Sequence, residues 1–479
     1  MPARPARPPA PDSGARDACG VVGIYTPDEP VAKLCYYGLY ALQHRGQESA
    51  GIAVSDGHHI LVTKEMGLVS QAFKASRLAG LDGHLGIGHV RYSTTGSSTW
   101  HNAQPSFKVT GQGGGIALGH NGNLVNTVEL SRDVPGGDNC TSDSELLAAM
   151  LAAHPSRSLE DALVATSERI RGAFSLVVMD ERTVYGVRDR HGVRPLVIGR
   201  LPHGGSVIAS ETAALDILGA ELLREVRPGE LVAIDEHGLR SRQWAEPSPR
   251  FCLFEYVYVA RPDHRTQETT MYAARRRMGA LLAKEAPVPA DLVIPVPDSG
   301  TAAASGYSEA SGIPHAEGLV KNRYVGRTFI EPSQSLRELG IRLKLNPLRD
   351  VLEGQRLVVV DDSIVRGNTS RQLVAMLRES GAAEVHLRIT APPVRNPCFY
   401  GIDMATRAEL IGSDRTIEEI REFVGADSLA FLSLDALVDS TRRPKGTLCR
   451  ACFDGEYPIP VPGEHAVAGK DVLVQLRSS

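Results

Sequence analysis

Cys19 and four polar clusters that follow it have residue types that could carry out nucleophilic chemistry. The clusters are His44–Ser49, His89–Thr94, Gly119–Asn123 and Thr141–Glu145. A thiol is a good nucleophile only as the thiolate, and its free pKa is about 8.5. A cysteine beside an apolar strand is more often a core residue. If residues 1–18 were removed as a leader, however, Cys19 would carry a free α-amine with a pKa of about 7.7–8.0, which could act as general base for its own thiol.

A second group of candidate residues follows an apolar run in the C-terminal half. The string Val358–Ser370 passes from a predicted strand through two carboxylates, Asp361 and Asp362, into a loop with glycine and hydroxyl side chains and then a helix. The backbone N–H groups of such a loop and the N-terminus of its helix can bind a phosphate. Adjacent carboxylates at a strand end can accept hydrogen bonds from ribose hydroxyls and help to bind Mg²⁺. The glycine spacing is not that of a dinucleotide-binding loop, so the string predicts a site for a phosphorylated ribose.

The cysteines indicate a third site. The chain has 7 cysteines and no export signal, which argues against a disulfide framework. Cys449 and Cys452 form a C-x-x-C pair near the C-terminus, and the sequence contains no second pair of this kind. Cys252 and Cys398, both with aromatic neighbours, are the other candidates. Four thiolates suit either Zn²⁺ or a 4Fe–4S cluster, and the spacing alone does not choose between them.

The first half of the chain has the pattern of a β-rich domain. Short, Gly-rich predicted strands follow one another from Cys19 to about Ile234. A helix is expected to begin near Ser144, because Ser142 and Glu145 fit a capping box. The predicted strands include Gly86–Arg91, Ile116–His120 and Ala173–Met179.

Pro247-Ser248-Pro249 is typical of a linker, and beyond it the pattern changes to alternating strand and helix, which predicts a doubly wound α/β domain. The apolar face of one of these helices consists of Leu373, Val374, Met376 and Leu377. The predicted buried strands are Asp291–Val296, Leu357–Val360 and His386–Thr390. The predicted division is a leader at 1–18, domains at 19–245 and 271–440, an interdomain segment at 246–270 and a tail at 441–479.

The composition is that of an ordinary globular enzyme. The chain has 479 residues, of which 42% are hydrophobic and 23% charged, and roughly two to four domains are expected. A net charge of −4 provides no general attraction to nucleic acid or to an anionic membrane. No apolar run approaches the roughly 18 residues that would span a bilayer, and residues 1–18 lack the apolar segment of a secretory signal. We therefore expect a cytoplasmic protein without a nucleic-acid or membrane partner.

The clusters that follow Cys19 resemble those of the N-terminal nucleophile (Ntn) glutaminase domain of class II glutamine amidotransferases, over about the first 240 residues. The resemblance implies an αββα sandwich of the Ntn-hydrolase type with Cys19 as nucleophile. It implies that Arg91 binds the α-carboxylate of glutamine and Asp143 its α-ammonium. Asn121 and the N–H of Gly122 would form the oxyanion hole. Taken singly, Arg91 could belong to a surface ion pair and Asn121-Gly122 to a hairpin turn; their occurrence together in this order favours the functional interpretation.

The string Val358–Ser370 resembles the motif of type I phosphoribosyltransferases that binds phosphoribosyl pyrophosphate (PRPP). Pro297–Gly300 resembles that family's pyrophosphate loop, and Lys321–Thr328 its mobile catalytic loop. The resemblance implies a doubly wound α/β fold and a Mg²⁺ ion at Ser299 and the two carboxylates. The residues that it implies for PRPP are Asp298, Ser299, Gly300, Lys321, Arg323, Ser363, Arg366, Gly367 and Thr369.

The two resemblances in this order make the chain similar to the amidophosphoribosyltransferase family, from Cys19 to about Pro458. The family's reaction converts glutamine, PRPP and water to 5-phosphoribosylamine, glutamate and pyrophosphate, as the first committed step of purine synthesis. Ammonia passes from the glutaminase site to the PRPP site. The alternatives are a glutamine amidotransferase with another acceptor, such as a sugar phosphate, and a PRPP-sensing regulatory protein.

The family resemblance also has implications for cofactors and partners. One branch of the family carries a 4Fe–4S cluster, with ligands at positions that match Cys252, Cys398, Cys449 and Cys452. The resemblance further implies a homo-oligomer, specifically a tetramer, and feedback inhibition by purine nucleotides.

Overall fold

The computed structural model describes two compact units. It describes residues 18–92, 98–111, 113–156, 158–322, 341–404 and 406–461. The N-terminal unit contains the described residues of Asp17–Tyr272, Pro397–Met404 and Thr441–Ser479, and the C-terminal unit those of Ala273–Asn396 and Ala405–Ser440. The finer boundaries at 18, 245, 270 and 440 stay predictions.

The strands and helices alternate irregularly in the first unit and regularly in the second. The strands are β1 Gly20–Tyr25, β2 Ser49–Ser55, β3 Ile60–Met66, β4 Leu85–Arg91, β5 Ser106–Val109, β6 Gly115–Leu124, β7 Gly172–Met179, β8 Val184–Arg188, β9 Val197–Arg200, β10 Ser206–Ala209, β11 Glu221–Glu225, β12 Glu230–Asp235, β13 Gly238–Gln243, β14 Phe251–Cys252, β15 Leu292–Pro295, β16 Leu319–Lys321, β17 Leu345–Pro347, β18 Arg356–Asp361, β19 Glu384–Ile389, β20 Ser428–Phe431 and β21 Leu448–Cys449. The α-helices are Val31–Ala41, Val69–Ala72, Ala75–Leu78, Thr127–Asp133, Asp143–Ala152, Leu159–Arg169, Thr212–Ile217, Met271–Glu285, Thr301–Ser311, Arg349–Leu352, Asn368–Glu379, Ile411–Asp414, Ile417–Val424, Leu434–Thr441 and Ala451–Asp454.

Two antiparallel sheets form the centre of the N-terminal unit. One has the strand order β11-β9-β10-β1-β4-β2-β3, and the other has the order β13-β12-β8-β7-β6-β5. Apolar side chains of both sheets, including Val21 and Val177, share one buried cluster between them. The helix Val31–Ala41 packs on the outer face of the first sheet, and the helices Asp143–Ala152 and Leu159–Arg169 on that of the second. These four layers confirm the αββα sandwich.

Strand β6 is longer than its sequence pattern predicted. It continues past His120 to Leu124, and it pairs with β7 throughout this extension, with Gly122 opposite Phe174. Asn121 and Gly122 therefore lie within a strand, and the hairpin-turn alternative is wrong. An Asn-Gly pair favours a turn only where the chain reverses, whereas here each residue has a partner on the neighbouring strand.

The helix Asp143–Ala152 begins one residue earlier than predicted. Ser142 is its N-cap and accepts a hydrogen bond from the N–H of Glu145 at 3.2 Å. The expected capping box is only half formed, because the Glu145 carboxylate accepts the N–H of Thr141 at 2.9 Å instead of that of Ser142.

A parallel sheet with the order β15-β18-β19-β20 forms the centre of the C-terminal unit. The helix Asn368–Glu379 connects β18 to β19 and buries the four apolar residues predicted for its inner face. Parallel strands joined by helices confirm the doubly wound α/β domain. Among the described residues, no helix is both long and apolar enough to cross a bilayer.

Candidate active sites and a cysteine-lined cavity

Cys19 lies immediately before β1 and is buried, with 7% of its surface exposed. Its S–H donates to the carbonyl of Tyr92 at 3.2 Å, and the N–H of Tyr92 lies 3.4 Å from the same sulfur. Arg45 donates from Nε to the Cys19 carbonyl at 3.1 Å. Burial raises the pKa of the Cys19 thiol to about 11, although Tyr92 and Arg91 act in the opposite direction. The thiol is therefore neutral at physiological pH and needs a nearby base to react.

The two residues predicted to bind glutamine lie within electrostatic reach of this thiol. Arg91 ends β4, is buried and has a guanidinium nitrogen 3.6 Å from Glu48, so it is not part of a surface ion pair. Asp143 is buried at the N-terminus of its helix and accepts the N–H of Ser144 at 2.8 Å. Burial opposes its ionisation, but His120 and backbone N–H groups hold the pKa of Asp143 below its usual value. A buried cation and a buried anion on two elements suit the two charged groups of an amino acid.

Asn121 and Gly122 have the properties needed for an oxyanion hole. Asn121 is fully buried, and neither its side-chain oxygen nor its side-chain nitrogen has a hydrogen-bond partner in the structure. Gly122 has φ +153°, and a Cβ there would lie 2.0 Å from the carbonyl oxygen of Ala173. Leaving a buried amide unpaired is costly, so its donor is available for a charge that develops on a substrate.

The segment 397–404 contacts this site, and sequence reasoning missed it. Asn123 donates from Nδ2 to the carbonyl of Phe399 at 3.0 Å, and the Tyr92 hydroxyl lies 3.2 Å from Asp403. A Cβ on Gly401 would lie 2.9 Å from the carbonyl carbon of Gly122. The segment thus supports both the oxyanion-hole strand and the residue that binds the Cys19 sulfur. The two hydrogen bonds join residues 276 and 311 positions apart, and no local signal marks them.

The second predicted site lies at the carboxyl end of β18. Asp361 is the last residue of the strand, and Asp362 beside it is buried. Ser299 donates to Asp361 at 3.2 Å, and Ser363 to Asp362. Burial raises the pKa of both carboxyl groups, and the charge of Asp362 raises that of Asp361 further. Two neighbouring carboxylates repel one another when both are ionised, and a bound Mg²⁺ would stabilise that ionised state.

Two helix N-termini belong to this edge of the sheet: one helix follows the carboxylates along the chain, and the other follows the neighbouring strand β15. Gly367 is the N-cap of the helix Asn368–Glu379, has φ +82° and thus takes a backbone conformation that favours glycine. Gly300 precedes the helix Thr301–Ser311, and a Cβ on it would lie 2.2 Å from the carbonyl oxygen of Val360. Since β15 and β18 are parallel neighbours, both loops lie at one edge of the sheet. Their N–H groups can bind phosphates there.

The cations predicted to bind PRPP are only partly described. Lys321 ends β16, with Nζ 2.5 Å from Asp298. Arg366 lies 3.5 Å from Glu409 and has a buried Nε without a hydrogen-bond partner. Ser363 and Thr369 lie in the loop after β18 and in the first turn of the helix that follows it. Arg323 lies outside the described residues, and so does the rest of the predicted catalytic loop after Asn322.

Arg275 is a further basic residue at this site that sequence reasoning missed. It is buried on the helix Met271–Glu285, and its charge lowers the pKa of Asp362 against the effect of burial. The available signal was the run Arg275-Arg276-Arg277 in an otherwise apolar helix. One arginine of such a run can point inward only where a carboxylate compensates its charge.

The structure brings the four predicted cysteine ligands together. Cys252 on β14 and Cys449 on β21 are direct partners in a parallel pair, and Cys452 lies in the short helix Ala451–Asp454. These three and Cys398 line one cavity. Burial raises the pKa of Cys252 to about 11 and that of Cys452 well above its usual value, and the other three thiols add to the effect on Cys452.

The donor set of this cavity fits an iron–sulfur cluster. Four sulfurs and mostly apolar groups line the cavity, together with Arg194, whose buried NH2 group has no hydrogen-bond partner. Iron–sulfur clusters are held by four thiolates and tuned by hydrogen bonds to their sulfurs. In the part of the chain that the structure describes, no group of three or more His, Cys, Asp or Glu residues, these cysteines included, is arranged to hold a metal ion.

Comparisons with known proteins agree with this geometry. The profile of the glutamine amidotransferase domain family matches residues 89–217. The chain is 56% identical over 472 residues to amidophosphoribosyltransferase of Mycobacterium tuberculosis (strain ATCC 25618 / H37Rv), covering 96% of this chain and 89% of the relative. It is 53% identical to amidophosphoribosyltransferase of Synechococcus elongatus, covering 94% of this chain and 92% of the relative.

Two solved structures extend the similarity to the fold. The glutamine PRPP amidotransferase from B. subtilis, complexed with ADP and GMP, superposes with a TM-score of 0.88 at 43% identity, covering 95% of this chain and 100% of that one. The allosteric regulatory enzyme of purine biosynthesis superposes with a TM-score of 0.87 at 44% identity, covering 93% and 97%. With both sites placed in folds of the expected types, the chain belongs to the amidophosphoribosyltransferase family.

Proposed function

We propose that the chain converts glutamine, PRPP and water to 5-phosphoribosylamine, glutamate and pyrophosphate at two sites. The observation that carries this proposal is the presence, in one chain, of a buried thiol with amino-acid-binding charges and a strand-end carboxylate pair beside two helix N-termini. The family membership of the chain supports the same reaction.

At the first site, Cys19 attacks the side-chain carbonyl of glutamine. A C–S bond forms, and the oxygen becomes an oxyanion that Asn121 and the N–H of Gly122 stabilise. Collapse of this intermediate breaks the C–N bond, releases ammonia and leaves a thioester, which water hydrolyses to glutamate. Arg91 and Asp143 hold the two charged groups of the substrate.

We infer that the mature protein begins at Cys19. With residues 1–18 attached, the nitrogen of Cys19 is an amide and cannot accept a proton, and burial leaves the thiol protonated. A free α-amine would accept the thiol proton and later donate it to the departing ammonia. The leader is thus an inhibitory propeptide.

At the second site, ammonia attacks the anomeric carbon of PRPP. The C–N bond forms as the bond to the pyrophosphate oxygen breaks, and ammonia loses a proton. Ser299, Asp361 and Asp362 would hold Mg²⁺, which neutralises charge on the leaving pyrophosphate when bound. Asp298 to Gly300, Lys321, Arg323 and the residues Ser363, Arg366, Gly367 and Thr369 bind the phosphates and ribose. The ammonia formed at the first site is the nucleophile at the second.

We further propose a cytoplasmic homo-oligomer, a tetramer, that purine nucleotides inhibit. The similarity to a relative whose structure contains ADP and GMP supports nucleotide binding, while the tetramer and the cytoplasmic location rest on the family resemblance and the sequence composition. A net charge of −4 is consistent with partners limited to small molecules.

Steady-state turnover tests the overall reaction. Glutamine plus PRPP should yield pyrophosphate and glutamate in equal amounts, and neither substrate alone should yield pyrophosphate at a comparable rate. Glutamate formation that increases with a sugar phosphate in place of PRPP would favour the alternative acceptor. Tight PRPP binding without turnover would favour the regulatory protein.

Replacing Gly401 with alanine should selectively damage the glutaminase site. Gly401 has φ +103°, and its new Cβ would press on Gly122, the predicted oxyanion donor. We expect the glutamine-dependent rate to fall about 10–100-fold, as for small displacements of catalytic groups, with the ammonia-dependent rate nearly unchanged. The measurement is kcat with each nitrogen source.

The matched control is Gly238→Ala. Gly238 has a similar φ of +98°, but no heavy atom lies within 4 Å of its added Cβ. Because the two glycines have similar φ angles, the strain of placing alanine there should be similar in both variants. The difference between their glutamine-dependent rates therefore reports the contact with Gly122. Equal glutamine-dependent rates in the two variants would contradict the role assigned to segment 397–404.

We also propose that Cys252, Cys398, Cys449 and Cys452 hold one 4Fe–4S cluster with a structural role. The reaction includes no oxidation or reduction, so a cluster would not take part in electron transfer. Anaerobically purified protein should be brown and contain about four irons per chain. Oxygen should bleach it slowly and irreversibly, with exposure of the C-terminal tail to protease. Colourless, fully active protein with one zinc per chain would assign the four cysteines to a zinc site.

A further inference from the structure

Arg194 joins the cysteine-lined cavity to the interior of the N-terminal unit. It is fully buried, donates from Nε to the carbonyl of Tyr400 at 2.9 Å and from NH1 to Glu255 at 3.0 Å. Its NH2 group is also buried and has no hydrogen-bond partner, while the residue lines the cavity with the four cysteines. A charged donor left unpaired in the interior is costly, and its natural partner is an anion in the cavity.

The other end of the same network reaches the nucleophile. Glu255 also accepts two hydrogen bonds from Arg45, at 2.8 and 3.1 Å, and Arg45 donates to the Cys19 carbonyl at 3.1 Å. Glu211 accepts a further bond from Arg45, so two buried guanidinium groups face two buried carboxylates. Within this set, the NH2 group of Arg194 is the guanidinium nitrogen that lacks a hydrogen-bond partner, and Arg194 is the member that lines the cavity.

We propose that Arg194 is a positioning residue, which donates its free N–H to a sulfur of the group that the four cysteines hold and thereby fixes Cys19 through Glu255 and Arg45. The proposal rests on the cluster proposed above. A 4Fe–4S core of charge 2+ with four thiolates has a net charge of −2, which the guanidinium partly compensates. The N–H groups of a guanidinium lie in one plane and donate in fixed directions. A group bound in the cavity would therefore orient Arg194, and through it the Glu255 carboxylate that accepts from Arg45.

Two measurable consequences follow. A donor and a positive charge stabilise the more negative, reduced state of a cluster, so losing Arg194 should lower the midpoint potential. It should also loosen the main chain at Cys19, with a glutamine-dependent kcat that falls about 10–100-fold, as is usual when a residue that orients a site is lost. The ammonia-dependent rate should not change.

The experiment compares Arg194→Met, Arg194→Lys and the control Arg224→Met. Arg224 pairs with Glu230 in the same unit and does not line the cavity. Each protein is purified anaerobically, and its iron content, its reduced-state EPR spectrum, its midpoint potential and its kcat with glutamine and with ammonia are measured. Arg194→Lys keeps the positive charge, so it should fold and shift the midpoint potential less than Arg194→Met does. Its ammonium group cannot donate to Tyr400, Glu255 and the cavity at the same time, so some shift should remain.

The outcomes separate this inference from the proposal it rests on. Full iron content with a lowered potential and selective loss of the glutamine-dependent rate supports it. Full iron content with an unchanged spectrum and potential in both Arg194 variants overturns it while the cluster stands. If Arg194→Met does not fold, an unchanged potential in Arg194→Lys overturns it. Wild-type protein without iron overturns both.

Discussion

Cys19→Ala should lose at least about 10⁴-fold of the glutamine-dependent rate while it keeps the ammonia-dependent rate, because a lost nucleophile cannot be replaced by its surroundings. The buried thiol, Arg91 and Asp143 all lie in the N-terminal unit, and the PRPP residues lie in the C-terminal one. Added ammonia reaches the second site without the first. The measurement is pyrophosphate release with each nitrogen source at saturating PRPP.

Cys35→Ala is the matched control for this variant. Cys35 is a buried core thiol of the same unit with no predicted role, so its loss should leave both rates within a small factor of the wild type. Loss of both activities in folded Cys19→Ala protein would contradict the assignment of two separate sites.

The protonation of the mature N-terminus should govern the pH dependence of the same activity. The α-amine can accept a proton only when neutral, so the glutamine-dependent kcat/KM should rise with pH through a pKa of about 7.7–8.0. N-terminal sequencing of active enzyme should begin at Cys19. Active enzyme that retains Met1 would refute the propeptide.

Asp361→Ala and Asp362→Ala should each lower the rate with either nitrogen source by about 10²–10³-fold, since both reactions share the PRPP site. The two carboxylates end β18 beside Ser299, where the ribose and Mg²⁺ are proposed to bind. The measurement is the ammonia-dependent rate at saturating PRPP, which excludes any effect on glutamine hydrolysis.

The matched control is Asp291→Ala. Asp291 forms an ion pair with Arg356 at 2.8 Å, at the opposite end of the same strand. Its loss removes a carboxylate and a contact of β18 without touching the proposed site. A near-normal ammonia-dependent rate in both Asp361→Ala and Asp362→Ala would refute the assignment.

The raised pKa values of this carboxylate pair predict how Mg²⁺ binding depends on pH. Burial, and for Asp361 also the charge of Asp362, favours the protonated forms, whereas a cation binds the ionised forms. The Mg²⁺ affinity should therefore rise with pH, with proton release on binding. Titration calorimetry in buffers of different ionisation enthalpy measures this release, and Asp361→Ala should lessen it.

The features of this protein that its sequence predicts correctly are those whose signals are local. The apolar run before Asp361 and Asp362 needs only a buried parallel strand and a following helix, and β18 and the helix Asn368–Glu379 lie where the pattern indicated. The capping residue Ser142 likewise places the helix that begins at Asp143. Strand alternation and helix capping act over a few residues, so they can be read without the fold.

The tertiary structure decided everything that depends on contacts between distant segments. Asn121-Gly122 has the local signature of a turn, but pairing with β7 holds it in a strand and leaves the Asn121 amide buried and unpaired. The support of Gly122 by Gly401 and the position of Arg194 at the cavity depend on the same long-range packing. Burial and hydrogen bonding across hundreds of residues set these environments, because the free energy of packing outweighs the small local preferences of single residues.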